Sequence, residues 1–245
     1  MNFDNKVVLI TWAARWIWKS TALTFGKNWA NVDVAYNTSK EEAEKVVAEI
    51  ENLWSRAISI KCDISQEEDV SFMFTKIIET FWKIDVVVNN AGIVIDTPLL
   101  QRSTEERQKT ININLIWTFL CCKYAAKIML DQKQGKIINI SSTNAINLFS
   151  PDAVDYDASK AGINIMTKDF AKELAPYVQV NAIAPWRVDT EMNKDLPEDF
   201  IKEQTEKIFM KRFAKPQEIA NVALFLASDE ASYINWSVIL VDWWV

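Results

Sequence analysis

Tyr156 and Lys160 are the residues in this sequence most suited to chemistry. They stand four apart in a segment with helical patterning, so both side chains lie on one helix face. An unperturbed phenol titrates near about 10. A neighbouring ammonium favours the phenolate and lowers that value. Such a tyrosine can protonate a carbonyl oxygen that is receiving hydride, or take the proton back in the reverse step. Ser142 follows the strand-like run Lys136–Ile140 and falls on the same predicted edge, where its hydroxyl can bind the same oxygen. Asn114 lies inside an apolar helical stretch. It reads either as a surface-facing or capping amide, or as a buried amide ordering a water or the lysine. The bare tyrosine–lysine spacing equally fits a surface tyrosine beside a solvated lysine. Histidine is absent, which excludes histidine triads, histidine metal sites and histidine acid–base work, and no metal site is expected.

The elements that must position these groups alternate along the chain. Lys6–Ile10 contains an unbroken apolar, β-branched run, the mark of a strand buried on both faces. A helix follows from Arg15 to Lys27. Further strands are expected at Val32–Tyr36, Ala57–Lys61, Ile84–Val88, Lys136–Ile140, Gln179–Ile183 and Ser237–Val241. Helices are expected between them: Glu41–Leu53 capped by Ser39 with Glu42 in a capping box, a helix capped by Ser65 and running to Phe81, Thr104–Met129, Tyr156–Ala175, and one from Pro216 to Ala227. This rhythm predicts a doubly wound, seven-stranded parallel α/β sheet (Rossmann-like) in three αβα layers. No linker or repeat divides residues 1–245, so one domain is expected, with the polar 189–212 stretch covering the substrate.

Composition narrows the function classes. The chain has 245 residues, a net charge of −6 and three cysteines without CxxC spacing. An acidic balance argues against a nucleic-acid groove. The cysteines fit a reducing cytoplasm. No signal segment is read, and no apolar run approaches the roughly 18 residues of a membrane span, so no membrane partner is expected.

In such sheets the ligand lies beyond the carboxyl ends of the strands. The stretches 11–18, 36–39, 63–64, 89–92, 141–142 and 185–190 should therefore line one crevice. A strand that turns into a helix near the chain start suits a phosphate-bearing cofactor, because free N–H groups and the helix dipole favour an anion there. Arg15 at the helix start opposes the dipole, and a phosphate partner explains it. Tyr36-Asn37-Thr38-Ser39 lacks the acid that would select free ribose hydroxyls, which favours the 2′-phosphate of NADP. Asp63 can accept from an adenine amino group, or can simply sit beside the following helix cap.

Together these residues resemble the short-chain dehydrogenase/reductase family over essentially the whole chain, Lys6 to Val245. The resemblance rests on NNAG at 89–92, on Ser142, Tyr156 and Lys160 with Asn114, and on NAIAP at 181–185 followed by Val188 and Thr190. Length and the ending KRFAKPQEIANVALFLASDEASYI are most similar to the 3-oxoacyl-[acyl-carrier-protein] reductases within it. The resemblance implies NADPH-dependent reduction of a β-keto thioester to the 3-hydroxy form. Tyr156 would donate the proton, Lys160 would lower its pKa and hold the nicotinamide ribose, Ser142 would orient the carbonyl, and Asn114 would support a proton-relay water. Contacts to NADP(H) would come from Thr11, Arg15, Ile17, Asn37, Asp63, Ile64, Asn90, Ala91, Gly92, Tyr156, Lys160, Val188 and Thr190. The partners implied are a small-molecule or carrier-protein-bound acyl substrate, with Lys133 and Lys172 as docking candidates, and a homotetramer.

One residue class departs from the family. Tryptophan stands at family glycine positions 12, 16, 18, 186, 243 and 244, and at 29, 54, 82, 117 and 236, where members usually or often have glycine. Eleven tryptophans against four glycines nearly reverse the ordinary ratio. The pattern reads as deliberate replacement rather than drift. A left-handed non-glycine residue costs about 1–2 kcal/mol and overpacking roughly 1–3, against a typical stability of about 5–15 kcal/mol. The expectation is weak or absent NADP(H) binding and compromised cooperative folding, with Trp29, Trp54 and Trp82 tolerated if they lie exposed. Two alternatives to the thioester reductase stay open: a folded, inactive scaffold with a plugged crevice, and a dehydrogenase of a sugar, steroid or other alcohol.

Overall fold

The computed structural model describes residues 1–14, 16–190 and 196–243. Seven strands form one parallel sheet in the order β3-β2-β1-β4-β5-β6-β7. They are β1 (Val7–Thr11), β2 (Asn31–Tyr36), β3 (Ala57–Lys61), β4 (Val86–Asn89), β5 (Gly135–Ile140), β6 (Val178–Pro185) and β7 (Val238–Val241). The helices are α1 (Trp16–Lys27), α2 (Lys40–Glu51), α3 (Glu67–Phe81), α4 (Thr104–Ile111), α5 (Trp117–Gln132), α6 (Val154–Glu173), α7 (Glu198–Lys207) and α8 (Pro216–Ala227). The expected α/β class, strand number and three layers are all present.

The unbroken run of β1 has a direct physical reason. Val8 and Ile10 pack into the half-core shared with α1, α2 and α8, whereas Val7 and Leu9 pack into the half-core shared with α3 and α5. A strand covered on both faces has no place for a polar residue. β1 pairs with both β2 and β4, so the sheet order reverses there and opens a crevice at the strands' carboxyl ends. The long helical path Thr104–Gln132 is apolar enough to cross a membrane by length and composition. Its buried residues, including Trp117, Cys121, Cys122 and Met129, face the sheet instead.

Three local expectations are corrected. Ser39 precedes α2 but its side chain makes no cap hydrogen bond. Ser65 does not cap α3: the helix begins at Glu67, and the Ser65 N–H and hydroxyl both donate to Asp63 Oδ1 at 3.0 and 2.9 Å. The serine is drawn into a turn of its own, the usual competitor of capping. Thirdly, the segment from Thr104 is not one regular helix, because Asn112–Ile116 forms a π-helical turn between α4 and α5.

Asp33 is an acid in the middle of β2. It lies opposite Leu9 and Ile58 in the sheet, fully buried, and neither carboxyl oxygen has a partner among the described residues. Burial pushes its carboxyl well above the usual range. The folded chain therefore holds this proton to higher pH than the unfolded chain, and the associated stability is lost as pH rises from the acid side. Asp33→Val is expected to stabilise the protein by about 1–4 kcal/mol at neutral pH. The gain should shrink as pH falls toward the acid range, read from urea midpoints at both pH values. An unchanged midpoint at neutral pH would show that the carboxyl is satisfied.

Candidate active site

The carboxyl ends of β1 and β4 are joined by side chain to backbone. Thr11 is fully buried, and its Oγ1 accepts from Asn90 N at 2.8 Å and Ala91 N at 3.2 Å, while Asn90 Nδ2 donates to Thr11 O at 3.1 Å. Thr11 thus fixes the 89–92 segment instead of offering its own side chain to a ligand. Asn89 Nδ2 reaches Asn139 Oδ1 on β5 at 2.9 Å, and Asn139 Nδ2 reaches Thr167 Oγ1 on α6 at 3.0 Å. This bridge from β4 to α6 was not foreseen, because nothing in local spacing pairs residues so far apart in sequence.

Asn114 occupies the π-helical turn, a distortion that recurs at functional sites. It is fully buried. Its Oδ1 accepts from Ile93 N at 2.8 Å, and its Nδ2 donates to Ile93 O at 2.9 Å and Ser159 Oγ at 3.0 Å. The amide therefore clamps the loop after Gly92 against α6. Ser159 Oγ donates to Tyr156 O at 2.7 Å, which continues the clamp to the tyrosine's own backbone.

Lys160 is 3% exposed, and its Nζ donates to Ile140 O at 2.8 Å. The ammonium lies 5.6 Å from the Tyr156 ring centroid. A Cβ at position 92 would come within 3.3 Å of Lys160 Nζ and 3.4 Å of Asn114 Oδ1, so Gly92 keeps space open beside both. Burial lowers the Lys160 ammonium to about 8. Tyr156 departs from the sequence expectation. Its phenol is raised, chiefly by burial and secondarily by Asp157, against a lowering from a Ser142 hydrogen bond. The lysine turns toward the Ile140 carbonyl, so spacing along the helix placed the two on one face without directing the charge at the phenol.

Ser142 is buried at the end of β5, where its hydroxyl accepts from Asn144 N at 3.2 Å. Asp157 is engaged by Asn144 Nδ2 at 2.8 Å and Ser150 N at 2.7 Å. Arg102 and Asp155 form an ion pair at 3.0 Å whose side chains are 4% and 1% exposed. Arg102 also donates to the carbonyls of Ile95, Thr97 and Asp152. This pair, immediately before Tyr156 on α6, is a second feature that sequence spacing did not signal.

The remaining expected contacts fall around this centre. Val188 bridges Ala214 beyond the end of β6, and Thr190 follows it. Asn37 is half-buried just past β2, and Ile64 is buried after β3. Asp63 Oδ1 is already held by Ser65. Ile17 lies in the first turn of α1, against the α1–α8 half-core. Arg15 lies outside the described residues, as do residues 191–195 of the covering stretch. In that stretch α7 has no buried residue. A cavity of about 100 Å³ near the ends of β6 and β7 is bordered by Trp186, Arg187, Met210 and Trp243, and none of the four catalytic candidates lines it.

The crevice fits a dinucleotide unevenly. At the Lys160 end, donors and an open glycine position converge. At the β1–α1 turn, where phosphates would meet backbone N–H groups, Trp12 has φ 55° and packs against the α3–α5 half-core, with its indole N–H buried and unpartnered. Trp18 is buried in the opposite half-core. That turn lacks the bare backbone a pyrophosphate requires.

Among the described residues no group of histidine, cysteine, aspartate or glutamate side chains could hold a metal ion. The profile of a family described as enoyl-(acyl carrier protein) reductase matches residues 13–243. The 3-oxoacyl-[acyl-carrier-protein] reductase of Thermotoga maritima is 39% identical over 243 residues, 99% of this chain and 98% of that protein. The crystal structure of 3-oxoacyl-[acyl-carrier protein] reductase from Brucella melitensis superposes with a TM-score of 0.91 at 31% identity, covering 98% of this chain and 91% of that one. A doubly substituted short-chain dehydrogenase/reductase of Serratia marcescens gives a TM-score of 0.94 at 27% identity, covering 99% and 98%. With Tyr156 and the buried Lys160 beside Ser142 at the carboxyl end of β5, the chain belongs to the short-chain dehydrogenase/reductase family and is an oxidoreductase of that family.

Proposed function

We propose that the enzyme reduces a 3-oxoacyl thioester, carried on an acyl-carrier protein or a small thiol, to its 3-hydroxyacyl form with NADPH. The observation that carries this reading is the convergence of Ser142, Tyr156 and Lys160 at the ends of β5 and α6, joined to the near-full-length likeness to 3-oxoacyl-[acyl-carrier-protein] reductases. NADPH, when bound, supplies the hydride. Residues suited to its nicotinamide and ribose end are Tyr156, Lys160, Val188 and Thr190. Arg15, Asn37, Asp63 and Ile64 are assigned to its adenosine end, with Asn90, Ala91 and Gly92 flanking the adenosine ribose.

Tyr156 gives its phenolic proton to the substrate oxygen. A phenol raised by burial is held protonated at neutral pH, the state a proton donor needs. Ser142 lies beside that phenol, lowering it against the effect of burial, and directs the carbonyl toward it. Lys160 steadies the ribose and stabilises the phenolate left after transfer. Asn114 supports proton return by fixing the Gly92 loop and α6 through Ile93 and Ser159. Exposed apolar residues such as Phe119 on α5 and Ile165 on α6 support assembly as a homotetramer. Cys62, Cys121 and Cys122 are free thiols rather than disulfides, which supports work in a reducing compartment such as the cytoplasm.

A second reading, a folded scaffold with a closed crevice, is favoured by the Trp12 indole at the phosphate turn. One assay separates them: NADPH oxidation with acetoacetyl thioester and with a panel of simple ketones, on this chain and on a version with glycine at 12, 16 and 18. Thioester turnover by either version supports the reductase. Preference for a simple ketone overturns the thioester assignment. Turnover by the glycine version alone assigns the scaffold reading to the tryptophan form. Tyr156→Phe is expected to lower kcat by about 10²–10⁴-fold while NADPH binding is retained.

Lys160 also predicts a pH signature. Its folded value, about 8, lies below the ordinary 10.5, so the unfolded chain binds the proton more readily between them. The stability it contributes is present above the unfolded value and is lost as pH falls through the folded one. Denaturant midpoints should therefore decline from pH 10.5 to 8 in the parent and decline less in Lys160→Met. Equal slopes would show that the ammonium is solvated.

A further inference from the structure

Five of the eleven tryptophans occupy left-handed backbone: Trp12, Trp29, Trp54, Trp82 and Trp236, with φ between 55° and 69°. None of the glycines does. Three of the five follow helices at the position where glycine is the common terminator. Trp29 N donates to Gly26 O and Ala30 N to Phe25 O, the paired bonds of a Schellman motif after α1. Trp82 N donates to Ile78 O, closing the simpler left-handed motif after α3. Trp54 N donates to Glu51 O after α2. In each case the backbone does what glycine does without strain.

The side chains gain nothing in return. Trp54 is 94% exposed, Trp82 84%, Trp29 55% and Trp236 51%. Where indoles are buried they are badly provided for, since the N–H groups of Trp12 and Trp117 have no partner among the described residues. A buried donor left unpaired is destabilising. A position that wants glycine's φ and leaves the indole in solvent or unpaired was not shaped around tryptophan.

We infer that the working enzyme carries glycine at the tryptophan positions, through a codon read as glycine in the cell that makes it. UGA differs from the glycine codon GGA only in its first base, and its meaning varies between genetic codes. This accounts for one residue class departing while the others conform. It extends to Trp16, Trp186, Trp243 and Trp244 through the family likeness. It also bears on the uneven crevice, because glycine at 12 removes the indole that packs beside the phosphate turn.

The test begins with the enzyme purified from its natural source. Peptide masses across Val7–Lys19 and across the turns at 29, 54 and 82 should be those of glycine, and tryptophan masses would overturn the inference. Both versions are then made from unambiguous codons in one host. The glycine version should unfold cooperatively at a Tm at least about 10 °C higher and bind NADPH roughly tenfold or more tightly by cofactor fluorescence. A tryptophan version equal in both measurements would overturn it. Neither readout involves the substrate, so glycine masses without thioester reduction would sink the proposed substrate and leave this inference standing.

The buried pair of Arg102 and Asp155 carries an independent inference. It ties the loop carbonyls of Ile95 and Thr97 to the first turn of α6, one residue before Tyr156. The geometry points to Arg102 as a positioning residue for Tyr156. Arg102→Met should lower kcat about tenfold with KM little changed, and should shift the Tyr156 phenol titration, identified by ultraviolet difference against Tyr156→Phe. Arg102→Lys should recover part of both. Lower thermal stability with an unmoved kcat and phenol titration would reduce the pair to a structural tie and overturn the proposal.

Discussion

The site depends on keeping one ammonium out of water. A buried cation is costly unless it is held by well-placed acceptors, and Lys160 has a backbone carbonyl, Ile140 O, as its recorded hydrogen-bond acceptor. Its surroundings follow from that constraint. Glycine at position 92 leaves room for the ammonium, since a Cβ there would come within 3.3 Å of it and press it aside by a few tenths of an ångström. The Ser141 hydroxyl donates to Lys160 O at 3.3 Å and ties the helix turn to the end of β5. The Asn114 amide keeps the Gly92 loop from drifting away. Burial in turn lowers the ammonium to about 8, which brings its charge within range of a proton cycle at mildly alkaline pH.

The sheet explains why these groups meet. Lys160 and Tyr156 come from α6, Ser142 from the end of β5, and Asn114 from the π-helical turn before α5. Parallel strands send all their carboxyl ends to one edge, so residues far apart in sequence arrive together without local signals. The side-chain bridge Asn89–Asn139–Thr167 then links β4, β5 and α6. Distance within the crevice is thus set by buried amides rather than by mobile loops.

Periodicity made the scaffold readable, and long-range pairing hid part of the site. The run Val7–Ile10 could only be a strand covered on both faces, and Pro216 at the start of α8 marked a helix because its missing N–H is harmless there. Ser39 and Ser65 misled, since a serine before a helix can bond elsewhere, as Ser65 does with Asp63. The four-residue spacing of Tyr156 and Lys160 gave the correct face but not the direction of Nζ, which the Ile140 carbonyl decides. Arg102 and Asp155 were invisible because they stand 53 residues apart in a contact that only the folded loop creates.

The tryptophans separate by what their backbone and side chain each demand. At 29, 54 and 82 the indole points outward, so only the left-handed φ is strained, at about 1–2 kcal/mol per position. At 12, 18 and 117 the indole packs against or into the interior, where its volume must be accommodated, and at 12 and 117 its N–H is left without a partner among the described residues. Trp117 affects a core helix, whereas Trp12 and Trp18 flank the turn that a phosphate must approach. The scaffold can therefore persist with every catalytic side chain in place while the turn loses its bare backbone. Residue identity at that turn therefore bears on the surface a cofactor would meet, whereas at the helix ends it bears on backbone strain alone.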